Sequence, residues 1–288
     1  MVQLSDTHLS AERAYGLANF DAVVEALGAS PPDLVVGSGD LALDDVDCES
    51  DHRFARRCFD RVPARWRVLP GNHDLGDTGP DPWMGQPVTP ERRSRFVELW
   101  GPDWWVEEAD AWVVVGLDSL LFASDLPAEG EQWEWLGGVV ERAGQRPMMV
   151  VLHKPLFLAD PDDDELSQMA VTPEGRRRFQ EAIGGARLSL VASGHVHQYR
   201  SWTVDGLAMV WAPSTAFVSR IGEPSPHGAA KLVGAVEYRF DGRGVAWSLG
   251  RPAGMVDHDA HVLAGGAPSL RDGPVLPADG LTRPPARA

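Results

Sequence analysis

The sequence predicts an α/β fold, in which buried strands alternate with helices along the chain. Short apolar runs rich in β-branched residues end at polar clusters, as is typical of strands that a sheet buries on both faces. Stretches with apolar residues at helical spacing lie between several of these runs. The 288 residues are 43% hydrophobic and 24% charged, which is ordinary for a globular protein with a sizeable core.

Five predicted strands run directly into residues that carry acid, amide or imidazole groups. They are the apolar parts of VQL (2–4), DLVVGSGD (33–40), WRVLPGNHD (66–74), PMMVVLHKP (147–155) and LSLVASGHVH (188–197). Ligands in open α/β sheets collect at the carboxyl ends of the strands. We therefore expect the polar residues that follow these strands to meet at one place.

The remaining elements follow from the same two periodicities, one of strands and one of helices. Helices are predicted over 18–29, 89–100 and 131–144, and further strands over 112–119, 207–214, 234–240 and 244–249. Residues 241–244 (DGRG) separate the last two strands, as a hairpin turn does. A late hairpin of this kind predicts a second sheet with mixed strand directions.

We expect one domain over residues 1–250 and a Pro-, Gly- and Ala-rich C-terminal extension over 251–288. This extension is either an extended strap or disordered. Residues 75–110 are long, irregular and rich in Gly, Pro and Trp, so they either shape the substrate as a lid or cap the core with their tryptophans. We favour the second interpretation, with a helix over 89–100 that turns Phe96, Leu99 and Trp100 inward.

The formal charge of −16 indicates an acidic surface that repels nucleic-acid phosphate, so a general DNA or RNA partner is not expected. Bound divalent cations would offset part of this charge. Cys48 and Cys58 fit no metal-thiolate motif, and we expect them to be packing residues in a reducing compartment. No signal peptide and no membrane span is recognisable, which predicts a cytoplasmic protein unless the true start lies upstream.

The strand ends supply a set of metal-ligand side chains. Two carboxylates, one amide and four imidazoles are involved: Asp6, His8, Asp40, Asn72, His153, His195 and His197. An extended backbone repeats its side-chain direction every two residues, so His195 and His197 face one spot, as do Asp6 and His8. A single four-coordinate ion cannot use all seven side chains. Two ions can, if Asp40 bridges them from its position midway between the other strand ends.

Five motifs in this order resemble the signature of the calcineurin-like metallophosphoesterases: DTH (6–8), GD (39–40), GNHD (71–74), His153 and GHVH (194–197). The resemblance spans residues 1–250, and the layout looks most like the bacterial cyclic-nucleotide phosphodiesterase-type branch. It implies a four-layer αββα sandwich with two central mixed β-sheets. It also implies a hydrolase of small phosphoesters, phosphodiesters above all, that uses two metal ions of Fe, Mn or Zn.

The same resemblance implies a role for each site residue. One ion takes Asp6, His8, Asp40 and His197, and the other takes Asp40, Asn72, His153 and His195. A hydroxide that bridges the ions attacks phosphorus in line. His73 faces the substrate, and Asp74 either orients His73 or stabilises the turn. Lys154 and Arg200 flank ligands, and we expect them to be solvated rather than to contact an anionic substrate.

Other interpretations stay open at this level. GSGDLA (37–42) matches a dinucleotide fingerprint with Asp60 at the ribose-binding position, but Asp40 would then put a carboxylate into the pyrophosphate cradle. DHDAH (257–261) has metal-ligand residue types but lies in the low-complexity tail. A phosphomonoesterase of the same fold and a non-catalytic metal-binding scaffold are the remaining alternatives. The oligomeric state is left open.

Overall fold

Two mixed β-sheets form the centre of the protein in this computed structural model, which describes residues 1–43, 45–219, 225, 227–242 and 244–278. In chain order the strands are β1 (Val2–Leu4), β2 (Val35–Ser38), β3 (Trp66–Leu69), β4 (Trp105–Ala109), β5 (Trp112–Gly116), β6 (Pro147–Val151), β7 (Arg187–Ser193), β8 (Arg200–Val204), β9 (Leu207–Trp211), β10 (Ala235–Asp241) and β11 (Gly244–Gly250).

The first sheet contains the strands that precede Asp6, Asp40 and Asn72. Among the described residues it has five strands in the order β11-β10-β1-β2-β3, and β1, β2 and β3 run parallel. The predicted hairpin between β10 and β11 is confirmed, but the expectation that it belongs to a second sheet is wrong. β10 instead pairs antiparallel with β1 and so extends the first sheet. Arg243 of the predicted turn lies outside the described residues.

The second sheet contains the strands that precede His153 and His195. Within the described part of the chain it has six strands in the order β4-β5-β6-β7-β9-β8. β5, β6, β7 and β9 run parallel, and the antiparallel strands β4 and β8 form the two edges. The sequence did not predict β4 and β8, because exposed edge strands can carry polar residues such as Glu108 and Thr203 in place of a continuous apolar run.

Helices cover the outer faces of both sheets. In chain order the helices are α1 (Leu17–Ala29), α2 (Glu49–Phe59), α3 (Asn72–Leu75), α4 (Pro90–Trp100), α5 (Pro127–Ala143), α6 (Pro173–Ala182) and α7 (Ala260–Leu263), of which the short helices α3 and α7 lie at the strand ends rather than on these faces. Phe20 of α1 and Phe59 of α2 are buried against the first sheet, whereas Leu136 of α5 and Phe179 of α6 are buried against the second. A third apolar cluster, which includes Met149 of β6, fills the space between the sheets. These layers are the predicted αββα sandwich.

None of the helices in the described part of the chain is long and apolar enough to cross a membrane. The bilayer core requires about 20 consecutive apolar residues in a helix.

Residues 75–110 divide between the core and the surface. Phe96 and Trp100 of α4 are buried as predicted, and buried Trp105 donates its indole N–H to the Val68 carbonyl at 2.9 Å. Trp83 differs, because it lies on a short 3₁₀ turn (Trp83–Gly85) and is 41% exposed. The interpretation that the tryptophans of this segment cap the core is therefore wrong for Trp83.

Residues 251–278 run across the surface as a strap. Its end is held by backbone hydrogen bonds from Leu276 N–H to Glu12 O (2.8 Å) and from Ala14 N–H to Leu276 O (2.9 Å). Before this attachment the strap contains α7 and a 3₁₀ turn (Leu270–Asp272). The strap thereby returns the C-terminal part of the chain to the edge of the sheets where the predicted ligands lie.

Candidate metal centre

The seven predicted ligand side chains meet where the strands of both sheets end. The carboxyl ends of β1, β2 and β3 face those of β6 and β7, and each strand is followed within a few residues by its ligands. Among the described His, Cys, Asp and Glu residues, two groups place their ligand atoms within 4.8 Å of one another. The first group is Asp6, His8, Asp40 and His197, and the second is Asp40, His153 and His195.

The first group is compact and buried. His197 Nε2 lies 3.2 Å from Asp6 Oδ1 and 3.1 Å from His8 Nε2. His8 Nε2 lies 3.8 Å from Asp40 Oδ2. Two imidazole nitrogens that face each other at such a distance, between two carboxylates, form the kind of donor set that binds a transition-metal ion.

The second group contacts the other oxygen of the shared carboxylate. His153 Nε2 lies 3.4 Å from Asp40 Oδ1, and Asn72 Oδ1 lies 3.2 Å from the same His153 nitrogen. Asn72, which is the predicted amide ligand, therefore borders this group. The two oxygens of Asp40 thus face different groups of ligands, as they do in a bridging carboxylate.

The outer nitrogens of two histidines are held by backbone carbonyls. His153 Nδ1 donates to Ser38 O at 2.8 Å, and His195 Nε2 donates to Gln168 O at 2.9 Å. A carbonyl can only accept, so these contacts fix the tautomer of each neutral ring and leave the other nitrogen as a potential ligand atom.

The hydrogen bonds within the site support metal binding by the same residues. His195 Nδ1 is buried without a hydrogen-bond partner among the described residues. Buried polar atoms almost always have a partner, so this orphaned nitrogen of the second group points to a missing one. Carboxylate, imidazole and amide donors suit Fe, Mn or Zn, and the residues present therefore fit the metal ions that the sequence predicts.

Burial and neighbouring charges shift the pKa values of the ionisable groups in the site in opposite directions. Burial alone would raise the pKa of Asp6, but the neighbouring His197 outweighs it and lowers that pKa to about 2. Burial alone would lower the pKa of His153, but Asp40 at 3.4 Å raises it to about 9. The carboxylates of the site are thus held in the ionised form that binds cations, and a cation bound at His153 Nε2 would displace the proton that Asp40 holds there.

The backbone conformation of the ligand residues is unusual. Five of them have positive φ: Asp6 (52°), His8 (41°), Asp40 (52°), His195 (68°) and His197 (53°). Left-handed conformations of non-glycine residues are uncommon and concentrate at functional sites. The neighbouring glycine is constrained as well, because Gly39 has φ +96° and a Cβ there would collide with the His153 ring. The expectation of an extended backbone at the Asp6–His8 and His195–His197 pairs is therefore wrong.

His73 lines the cavity next to the first ligand group. Its ring lies 4.9 Å from the His8 ring, and its Nδ1 donates to Leu43 O at 2.9 Å. Because Nδ1 carries that proton, Nε2 is left to contact a substrate, as an acceptor in the neutral ring and as a donor in the protonated ring.

Asp74 contacts backbone amides in the structure. Its carboxylate accepts hydrogen bonds from Leu41 N–H (3.0 and 3.1 Å), Ala42 N–H (3.1 Å) and Gly71 N–H (2.9 Å). The hydrogen bond of the His73 ring is with Leu43 O instead. These contacts match the turn-stabilising interpretation of Asp74 rather than its role as an orienting partner of His73, since they tie the loop after β2 to the loop after β3.

The expectation that Lys154 and Arg200 are solvated is wrong. Lys154 is buried, and its ammonium group lies 2.5 Å from Asp77 Oδ1. Arg200 is partly buried, with its guanidinium 4.2 Å from the centre of the Trp202 ring and one N–H donated to Leu158 O at 2.8 Å. Sequence reasoning missed the hydrogen-bond partners, because Asp77 lies 77 positions from Lys154 and Leu158 lies 42 positions from Arg200.

A cavity of about 370 Å³ opens above the two ligand groups. Its lining includes residues that sequence reasoning did not assign to the site, among them Trp83, Met84, Phe217 and Leu270. The tail motif DHDAH contributes to neither ligand group, although His261 lines the cavity wall. The residues of this lining share no motif and no periodicity, so no sequence pattern indicates them.

The sequence matches the profile of the calcineurin-like phosphoesterases over residues 1–199. It is 26% identical over 227 residues to the 3′,5′-cyclic adenosine monophosphate phosphodiesterase CpdA of Escherichia coli strain K12, an alignment that covers 75% of each chain. It is 28% identical over 176 residues to the serine/threonine-protein phosphatase CPPED1 of Homo sapiens. That second alignment covers 59% of this chain and 52% of the human protein.

The fold is similar to that of a solved dimetal phosphatase from Danio rerio. The TM-score is 0.54, and the match covers 87% of this chain and 95% of that chain. The two sequences are 14% identical, so the likeness concerns the fold alone.

Proposed function

This chain belongs to the calcineurin-like phosphoesterase family, and on that premise we propose that it hydrolyses small phosphodiesters with two metal ions. The observation that carries the proposal is the division of the Asp40 carboxylate, with Oδ2 toward His8 and Oδ1 toward His153. In this proposal Asp6, His8, Asp40 and His197 hold one ion, and Asp40, Asn72, His153 and His195 hold the other.

Two bound cations supply Lewis acidity, since they activate water and offset the charge of the phosphoryl oxygens. The residues of the chain position the substrate and supply a proton to it. His73 presents Nε2 to the cavity and, when protonated, donates a hydrogen bond to the leaving oxygen. The amide hydrogen bonds to Asp74 hold the Asp40 loop in register with Asn72 and His73.

The scarcity of cations around the cavity supports a preference for diesters. A phosphodiester carries one negative charge and a phosphomonoester about two near neutral pH. Among the described residues that line the cavity, Arg271 is the one Lys or Arg side chain, and it pairs with Asp45 at 2.9 Å. Lys154 does not line the cavity, and its charge is neutralised by Asp77, which does. A substrate with less charge therefore requires less compensation from the protein.

The test compares kcat/KM for bis(p-nitrophenyl) phosphate, cyclic AMP and p-nitrophenyl phosphate on Mn-, Fe- and Zn-loaded preparations, with metal content measured on the same samples. We expect about two ions per chain and a faster reaction with at least one diester. A tenfold or greater advantage of the monoester would make the protein a phosphomonoesterase. Bound metal without turnover of any ester would make it a metal-binding scaffold.

A further inference from the structure

Two segments outside the ligand motifs contribute to the cavity lining. One is the 3₁₀ turn Trp83–Gly85, which contributes Trp83 and Met84. The other is the C-terminal strap, residues 251–278, which contributes Ala264 and Leu270 among others. A group attached to a phosphate bound at the strand ends therefore shares the cavity with these two segments.

A buried ion pair and hydrogen bonds at Asp77 hold the first segment in place. Asp77 Oδ1 binds the Lys154 ammonium at 2.5 Å, and Asp77 Oδ2 accepts the Trp83 backbone N–H at 3.3 Å. The backbone of Asp77 also pairs with Gln86 and Val88 on the far side of the turn. Trp83 is therefore exposed on a turn whose base is held in place.

The strap is fixed at both ends of the part that lines the cavity. On one side Val218 N–H donates to His258 O at 2.9 Å, and Ala260 N–H donates to Val218 O at 2.8 Å. On the other side Arg271 pairs with Asp45 at 2.9 Å. Between these attachments Leu270 packs against a small core cluster that contains Phe217, which also stacks on the His8 ring at 4.9 Å.

Trp83 and Met84 of the first segment present an apolar surface at the cavity, together with Met169 from the loop before α6. Trp83, Met84 and Met169 all line the cavity and are 41%, 47% and 40% exposed. Large exposed apolar side chains that adjoin each other mark a surface that is covered in function. This surface is continuous with the ligand groups, so its occupant is attached to the phosphate that those groups bind.

We propose that Trp83 and Leu270 select phosphodiesters whose second ester group is uncharged and apolar. This inference rests on the proposed phosphodiesterase function. Apolar groups gain free energy when the two segments remove them from water. A carboxylate or a further phosphate in the same position gains no counter-charge, because Arg271 is already paired with Asp45.

The test uses four diesters that share p-nitrophenolate as leaving group and differ in the second group, which is methyl, hexyl, phenyl or 2-carboxyethyl. The common leaving group keeps the chemistry constant. We expect kcat/KM for the hexyl and phenyl esters to exceed that for the methyl ester by about 10- to 30-fold, from partial burial of the added carbons. The 2-carboxyethyl ester should react more slowly than the methyl ester. The proposal would be overturned if kcat/KM for the hexyl and methyl esters differed by less than threefold.

Two variants and a matched control assign the selectivity to these residues. Trp83→Ala and Leu270→Ala should each lower the hexyl-to-methyl ratio of kcat/KM at least threefold. Val262→Ala removes an apolar side chain from α7 that is 73% exposed and does not line the cavity, and it should leave the ratio unchanged. The assignment would be contradicted if Trp83→Ala and Leu270→Ala lowered kcat/KM equally for both esters. It would also be contradicted if Val262→Ala lowered the hexyl-to-methyl ratio of kcat/KM to a similar extent.

A binding measurement separates this inference from the proposed function. Calorimetric titration of the metal-loaded protein with methylphosphonate and hexylphosphonate requires no turnover. Tighter binding of hexylphosphonate in the wild type, reduced in Trp83→Ala, supports the apolar walls even if no ester is hydrolysed. Equal affinities would overturn the inference even if the protein is an active phosphodiesterase.

Discussion

Removing the negative charge of Asp77 should destabilise the protein strongly. The Lys154 and Asp77 side chains are 4% and 1% exposed, and their charged atoms lie 2.5 Å apart. In Asp77→Asn the ammonium group keeps an oxygen acceptor but loses its counter-charge in a site that excludes water. Breaking a buried ion pair from one side typically costs about 3–5 kcal/mol. Because the amide oxygen still accepts a hydrogen bond, we expect the lower end, ~3 kcal/mol.

The assay is urea unfolding of wild type and variant at matched metal content, with the free energy of unfolding extrapolated to zero denaturant. The matched control is Glu108→Gln, which removes a carboxylate from an exposed pair with Arg146. That substitution should cost less than ~1 kcal/mol, as exposed pairs do. If Asp77→Asn also costs less than ~1 kcal/mol, the pair is not desolvated as the structure indicates and the reasoning is refuted.

Three further predictions concern the metal centre and the cysteines. Asp40→Asn removes the shared carboxylate charge, and elemental analysis should find fewer than the two ions per chain expected for the wild type. His73→Ala should keep the bound metal and lose turnover by ~10²–10⁴-fold, because it removes one positioned proton donor. Burial raises the pKa of the Cys58 thiol to about 11, so a thiolate-specific reagent at pH 8 should label partly exposed Cys48 and reach Cys58 only on unfolding.

Each of these predictions has an opposite outcome that would contradict it. Two tightly held ions in Asp40→Asn would contradict the bridging assignment. Loss of metal from His73→Ala, with full activity after reloading, would mean that His73 is a ligand. Fast labelling of the folded Cys48→Ala variant would show that Cys58 is accessible, and the Cys58→Ala variant serves as the matched control.

The fold class and the meeting of the ligands were predictable because both depend on local patterns. Buried parallel strands appear as continuous apolar runs, and the residue that follows such a run lies at a known edge of the sheet. The helices α2 and α6 were missed for the opposite reason. Their sequences are dominated by charged residues and bury few large apolar side chains, such as Phe59 and Phe179, so an interpretation based on apolar stretches passes over them although the few apolar residues keep a helical spacing.

Sequence patterns did not predict the residues of the cavity walls or the ion pairs. Lys154 meets Asp77 across 77 positions of the chain, and Arg271 meets Asp45 across 226. Such partners are set by the path of the folded backbone. Leu270 lies in a tail whose composition resembles a disordered segment, and its position in the wall depends on the attachments near 258–260 and at 276.

The left-handed backbone conformation at Asp6 and Asp40 bears on which substitutions the fold tolerates, as distinct from which ones the site tolerates. Asparagine and glycine accept this conformation as readily as aspartate does. A change of Asp6 or Asp40 to asparagine exchanges one oxygen for nitrogen and removes a charge, but it demands no backbone conformation that asparagine avoids. A lineage that carries this fold can therefore abandon hydrolysis through a single nucleotide change and still inherit an intact framework for a new role.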